Sequence, residues 1–337
     1  MPIGLLVPVV LVGWGTACAL TSWRRLGRIA RVPALVTNEL PFLAGYLLVA
    51  SSALALAQGD LESVGGAIVG VAALVVLLGL VVIVRRSLRA DSALHNPKSM
   101  RRPWHRILKA PLPAFRRDVV RVRNLSYGEG PRRNLDIYYR RDRPTAAPVV
   151  VHLHGGGFHS GNKSREARPL IGHLVGRGMI CASANYRLRP HVGYDEQLAD
   201  ALAAIEWVRS HVQEYGGDPE RIFLVGSSAG AYLSVDAVNA GATGIAGIVG
   251  RYGYYGGLVA ERPQPPILVI HGENDLFVRP SDARAFVERM RTGSRHPVEY
   301  VQLPGGHHDY DLYESIRSNA ISIAVDRFIE SSSSLIA

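Results

Sequence analysis

Residues 221–234 read RIFLVGSSAGAYLS, and the five letters GSSAG at 226–230 decide how the rest of the chain is organised. Apolar strand formers run directly into Gly226, and a helical stretch follows from about Ala229. A small polar turn would explain the two serines between glycines. So would a turn built to hold one hydroxyl in the open. In the pattern G-x-S-x-G, Ser228 is the central residue of a sharp strand-to-helix turn, and the flanking glycines are small because strand and helix backbones pass close together. Ser227 competes for the role but sits off the centre of the pattern.

The surrounding sequence supplies the sheet that such a turn needs. Two alternating runs, VVRVRNLSY (119–127) and NLDIYYR (134–140), flank a Gly/Pro turn and predict an antiparallel hairpin. PVVVHLH (148–154) is a continuous β-branched run, as expected of a strand covered on both faces. A helix is predicted over 167–178, a strand over 179–187 and an amphipathic helix over 195–214. Strands at 222–226, 244–250, 267–272 and 298–305 then alternate with helices from about 229, over 281–293 and over about 312–330. A hairpin followed by β-α repetition predicts an α/β fold with a mostly parallel sheet and helices on both faces. Active sites in such sheets lie beyond the carboxyl ends of the strands.

Four polar segments fall there. GSSAG offers Ser228. HGGGF (154–158) puts three glycines after a buried strand, either as a plain turn or as a loop whose amides approach a ligand and stabilise an oxyanion. His154 is expected to orient that loop. HGENDLFV (271–278) offers Asp275 as an acid, with Glu273 as the runner-up. LPGGHHDYDLY (303–313) offers His308 as a base, with His307 as the alternative. The order Ser228, Asp275, His308 matches nucleophile–acid–base order in α/β-hydrolases and differs from that of other triad folds.

This set resembles the hormone-sensitive-lipase-like esterases and lipases of the α/β-hydrolase superfamily, with HGGG ahead of G-x-S-x-G. ANYRLRP (184–190) and WVRSHVQEYGGDPERIFLVGSSAG (207–230) add to the likeness, which covers about residues 118–330. The resemblance implies that Ser228 attacks an acyl carbonyl, His308 moves the proton and Asp275 orients His308. It implies that the amides of Gly156, Gly157 and Ala229 receive the oxyanion, with Gly155 shaping the loop. An acyl-enzyme serves esters and amides alike, so an amidase or peptidase is the second reading, and a silent receptor or scaffold on the same fold is a third. No metal or organic cofactor is expected. Only sixteen residues, Arg251 to Pro266, separate two strand-like runs where relatives carry lid material, so the pocket is expected to be open or covered by the basic 85–117 segment. The tyrosines at 252, 254 and 255 either line the pocket or pack at the sheet edge.

The resemblance stops short of the N-terminus. Residues 3–20, 40–57 and 66–84 are each apolar and close to the ~20 residues that cross a bilayer as a helix. They predict about three transmembrane helices within 1–90, followed by a basic juxtamembrane linker at 91–117 and the catalytic domain at 118–337. Asn38 and Glu39 are expected at the inner interface of the second span. Four arginines lie in residues 22–31, two acids and no base in 58–65, and RRSLR opens at 85. That asymmetry predicts a multi-pass protein, assigned to the plasma membrane, with its catalytic domain in the cytoplasm.

The chain of 337 residues carries a formal charge of +10, and ten Lys/Arg against one acid fall between Arg85 and Arg117. Beside an apolar segment, with few aromatics and no recognition motif, that block points to membrane lipid headgroups rather than nucleic acid. Trp104, Ile107, Leu108 and Phe115 within it suggest an interfacial collar or a solvated linker. The expected partners are therefore a small-molecule or lipid ester and membrane lipids. Two cysteines, Cys18 and Cys181, argue against a disulfide framework, and no Cys/His spacing suits zinc. SSSS at 331–334 reads as a frayed tail.

Overall fold

The structure, a computed structural model, describes residues 3–21, 27–96, 102–112 and 117–333. Parts of the arginine-rich 22–31 stretch and of the basic linker, Phe115 among them, lie outside the described residues.

Eight strands form one sheet in the order β1-β2-β4-β3-β5-β6-β7-β8: β1 (Val119–Ser126), β2 (Asn134–Arg140), β3 (Ala147–Leu153), β4 (Ile180–Ala184), β5 (Gly217–Ser227), β6 (Ile245–Arg251), β7 (Ile267–Gly272) and β8 (Val298–Leu303). The hairpin β1–β2 is antiparallel and joins β4 antiparallel, while β3 to β8 run parallel. Helices α8 (Tyr194–His211), α9 (Ala229–Asn239) and α10 (Pro280–Gly293) pack on one face, and α7 (Arg168–Gly176) and α11 (Ile316–Ser333) on the other. The run in β3 explains itself here. Val149, Val151 and Leu153 join the first core and Val150 the second, so both faces of this central parallel strand are covered and its residues are apolar apart from the hydrogen-bonded His152. SSSS is not all tail, since α11 continues to Ser333 with Ser332 buried.

Chain order changes direction around β3, with β4 on one side and β5 on the other, which opens a crevice at their carboxyl ends. Register places Leu153 beside Gly226, and Ser227 beside Arg251. The HGGG loop, the GSSAG turn and the end of β6 therefore meet at one edge.

Ahead of the sheet come α1 (Ile3–Leu20), α2 (Gly27–Glu39), α3 (Pro41–Ala57) and α4 (Val64–Leu88). Two helices, Ile3–Leu20 and Val64–Ala93, are long and apolar enough to cross a membrane. A third candidate is a pair, Ile29–Glu39 with Pro41–Ala57, bent by 88° at Leu40. The second stretch expected from sequence is thus α3 alone, 17 residues, preceded by a helix the arginines had disguised as loop. α2 is amphipathic. Ile29, Val32 and Val36 are exposed, while Ala30, Ala34 and Asn38 are buried.

The buried side of α2 packs on Cys18 of α1 and on Leu276, and its C-terminal end is bonded to the region that carries the sheet. Arg317 of α11 donates to Glu39 Oε1 at 2.9 Å, Ser315 Oγ donates to Glu39 Oε2 at 2.6 Å, and Asn38 Nδ2 donates to the Gly305 carbonyl at 3.1 Å. Glu39 thus stands just ahead of α3, as expected, and there it is buried and bonded to the start of α11. Replacing Arg317 with Ala leaves that carboxylate buried without its cation, a change that costs about 3–5 kcal/mol. Urea unfolding of the detergent-solubilised protein should show that loss. The double variant Glu39→Leu/Arg317→Met should recover most of it, because an apolar pair replaces a buried ion pair at little cost.

Candidate active site

The GSSAG turn leaves Ser228 at φ 50° and ψ −114°, a conformation that a side-chain-bearing residue adopts only when its surroundings impose it. A Cβ on Gly226 would lie 2.3 Å from the Gly230 carbonyl oxygen, and one on Gly230 would lie 2.1 Å from that of Leu153. Both glycines are therefore obligatory for β5, α9 and β3 to pass this close. The Ser228 amide donates to the Arg251 carbonyl at 3.0 Å, which ties the turn to β6.

The loops after β7 and β8 bring Asp275 and His308 to this serine. His308 Nε2 lies 3.2 Å from Ser228 Oγ, and His308 Nδ1 lies 2.7 Å from Asp275 Oδ2. Asp275 Oδ1 accepts from the Phe277 and Val278 amides at 2.8 and 2.9 Å, so the carboxylate is fixed from both sides. Burial alone would raise the Asp275 pKa, but His308, with His271, holds its carboxyl well below the usual carboxylate range. Burial likewise opposes a charged His308. The Asp275 carboxylate outweighs it, and the imidazole pKa is raised above its ordinary value. The alternatives point elsewhere. His307 Nε2 faces the Ala19 carbonyl of α1 at 3.1 Å, and Glu273 Oε2 accepts from the Gly305 amide at 2.8 Å.

The HGGG loop lies against the same serine. A Cβ on Gly155 would come within 3.0 Å of Ser228 Cβ, and Gly156, at φ 121°, would drive one into the Ser160 carbonyl. The Gly155 amide is committed, donating to Glu166 Oε2 at 2.8 Å. Among the described residues no acceptor is paired with the Gly156 or Gly157 amide, and Ala229 opens α9, where an amide has no intrahelical partner. His154 stacks on Tyr186 at 4.3 Å and donates from Nδ1 to the Gly155 carbonyl. Burial pushes its pKa down to about 3, so it is neutral and holds the loop.

Sequence reasoning missed what lies behind the serine. Arg251, fully buried, donates to Asp311 Oδ2 at 2.5 Å and to Ser227 Oγ at 2.7 Å. Asp311 also accepts from the Tyr252 hydroxyl at 2.6 Å and the Ala167 amide at 3.0 Å. Ser227 Oγ in turn lies 3.3 Å from His152 Nε2. This network links the nucleophile turn, the His308 loop and the segment after HGGG. The one legible sign was an arginine closing a buried strand, GIVGR. Glu166 belongs to the same set. Burial first, then Asp311 and Asp309 nearby, push its carboxyl up to about 7.

The tyrosines divide. Tyr252 packs 4.7 Å from the His308 ring, Tyr255 stacks on Phe286 at 4.0 Å, and both are buried. Tyr254 is half-exposed beside Tyr232, one turn into α9. No helix lies between β6 and β7. Arg106 of the basic segment pairs with Glu314 on the α7–α11 side, while α1, α2 and Arg86 of α4 reach the loops after β7 and β8. Arg31 of α2 pairs with Asp309 and covers the Phe277 ring at 4.4 Å. Cys18 and Cys181 are buried and unpaired, and among the described residues no His/Cys/Asp/Glu group is arranged to hold a metal ion.

An eight-stranded, mostly parallel sheet with a serine on a strained strand-to-helix turn at its crossover point is the α/β-hydrolase fold. Comparison with known proteins agrees. A family model described as BD-FAE matches residues 135–252. The chain is 33% identical over 265 residues to the probable carboxylic ester hydrolase LipM of Mycobacterium tuberculosis, covering 63% of this chain and 62% of that one. It is 29% identical over 267 residues to esterase LipC of the same organism, covering 63% and 66%. The match thus spans less than two thirds of either relative. Among solved structures, a truncated carbohydrate esterase from gut microbiota superposes with a TM-score of 0.56 at 18% identity, covering 64% of this chain and 96% of that one. Esterase B of Lactobacillus rhamnosis does so with 0.56 at 16% identity, covering 75% and 93%.

Glu166 yields a pH test. Its folded pKa, about 7, lies above the ordinary 4.5, so its contribution to stability is full below about 4.5 and lost as pH rises through about 7. Glu166→Gln keeps an acceptor for the Gly155 amide and cannot ionise. The difference in Tm, variant minus wild type, should therefore grow more positive from about pH 5 to about pH 8. A constant difference over that range would show that Glu166 does not titrate there.

Proposed function

We propose that the chain is a membrane-anchored carboxylic-ester hydrolase of the hormone-sensitive-lipase-like kind, working through Ser228, His308 and Asp275. The observation that carries this is the hydrogen-bonded chain from Ser228 Oγ through His308 to Asp275, 3.2 and 2.7 Å long in its two steps. HGGG ahead of G-x-S-x-G supports the branch, and the names of LipM and LipC support ester over amide substrates.

Each step follows from the geometry. His308 Nε2 takes the Ser228 proton as Oγ attacks the ester carbonyl, because Asp275 fixes the tautomer with Nδ1 protonated. The imidazolium formed is stabilised by the same carboxylate. The tetrahedral oxyanion is received by the amides of Gly156, Gly157 and Ala229; one such donor is worth on the order of 3 kcal/mol. His308 then protonates the leaving alkoxide, and water, deprotonated in turn by His308, releases the acid from the acyl-enzyme. Gly155 serves the loop through Glu166 rather than the oxyanion.

Anchoring rests on α1 and α4, with α3 as the third crossing, and on aromatic and basic flanks. The arginine asymmetry places the catalytic domain in the cytoplasm.

Ser228→Ala should abolish both fluorophosphonate labelling and hydrolysis of p-nitrophenyl esters while leaving the thermal unfolding midpoint close to that of the parent. Retained turnover would refute the assignment. For the topology, protease added to intact cells should spare the catalytic domain and digest it only after the membrane is opened; digestion in intact cells would reverse the orientation.

A further inference from the structure

Beside the catalytic histidine two arginines converge on one carboxylate oxygen. Arg31 from α2 and Arg165 from the segment after the HGGG loop both address Asp309 Oδ2, Arg165 at 3.5 Å. Asp309 directly follows His308, and its Oδ1 lies 4.0 Å from His308 Nε2. Arg31 also lies on the Phe277 ring, which is 5.2 Å from the His308 ring. The guanidinium pair thus borders the ring nitrogen that hands a proton to the leaving alcohol.

Asp311 is matched by Arg251, and Asp309 and Glu166 face the two guanidinium groups. Glu166, 3.7 Å from Arg165, is pushed up to about 7 by burial foremost and so carries only part of a charge near neutrality. The exposure is also one-sided. The Arg31 and Arg165 side chains are 30% and 35% exposed against 5% for Asp309, so the cations rather than the anion reach solvent. Each guanidinium has five N–H donors in a planar fork, and here two forks share one oxygen.

We propose that Arg31 and Arg165 form a subsite for an anionic group, phosphate or carboxylate, carried on the alcohol part of the ester. The inference rests on the ester-hydrolase reading above and narrows its substrate class to esters of acidic alcohols. Planar or tetrahedral oxyanions fit paired guanidinium forks bidentately. Because one fork comes from α2, the subsite exists only in the full chain.

The test compares two soluble substrates with the same acyl group, monobutyryl glycerol and monobutyryl glycerol phosphate, on the full-length protein in neutral detergent. The wild type should prefer the phosphate, and Arg31→Gln and Arg165→Gln should each cut the ratio of the two kcat/KM values by about tenfold, mainly through KM. Arg177→Gln, on the far surface, should leave the ratio within about twofold, the scatter of surface substitutions. Fluorophosphonate labelling of Ser228 reports whether each variant retains its site. Labelled variants that lose both activities in equal proportion would reduce the pair to a brace for Asp309 and overturn the proposal. Loss confined to anionic vesicles, equal for both esters, would assign the arginines to bilayer headgroups and overturn it as well. Failure of the wild type to label or to cleave either ester would instead sink the hydrolase reading itself.

Discussion

Ser228 sits at a positive φ between two glycines that have no room for a Cβ, and that backbone turn constrains everything around it. Such a conformation costs on the order of 1–3 kcal/mol and persists only where neighbours enforce it. The neighbours are specific. β3 passes so close that its Leu153 carbonyl occupies the Cβ position of Gly230, and β6 takes the serine amide through the Arg251 carbonyl. Strain at the turn is therefore carried by the central strands, the stiffest part of the sheet. The hydroxyl is left pointing at the crevice with nothing to do but meet His308.

Behind the turn the fold accepts an expensive arrangement. A fully buried arginine and aspartate, Arg251 and Asp311, bind one another and then hold Ser227, Tyr252 and the Ala167 amide. Buried ion pairs of this kind add little net stability, yet removing one partner is severe. Their effect here is geometric. Asp311 lies three residues beyond His308, Ser227 one residue before Ser228, and Ala167 on the segment whose Glu166 holds Gly155. One pair of charges thus sets the relative positions of three loops that no backbone ladder joins.

Much of this was legible in the sequence, for identifiable reasons. The hairpin at 119–140, the β-α alternation and the segments just after strands follow from periodicity and from β-branched runs, which report burial directly. Ser228, Asp275 and His308 could be singled out because each lies directly beyond an apolar strand. What sequence could not give was partnership between distant polar residues. Arg251, Asp311 and Glu166 lie sixty or more residues apart in every pairing, and nothing local marks a buried charge. α2 was hidden differently. The arginines of 22–31 read as a loop between spans, whereas an amphipathic helix at a boundary carries charges among its apolar residues.

That helix changes what the N-terminal region is. Its exposed apolar residues and its buried ones lie on opposite sides, with Glu39 locked to Arg317 at one end and Arg31 on Phe277 and Asp309 toward the other. A tether would need no such contacts, because a flexible linker holds a domain at a membrane without touching its catalytic loops. α2 packs along α1, and its contacts to Leu276, Phe277, Asp309 and Arg317 place it beside the loops after β7 and β8, where no helix lies between β6 and β7. Phe277 and Tyr254, two of only three large apolar side chains exposed among the described residues of 118–333, lie in the loops after β7 and β6. The Phe277 and Tyr254 rings and the Arg31 guanidinium therefore border the approach to Ser228, and α2, by holding Arg31 there, shapes that approach.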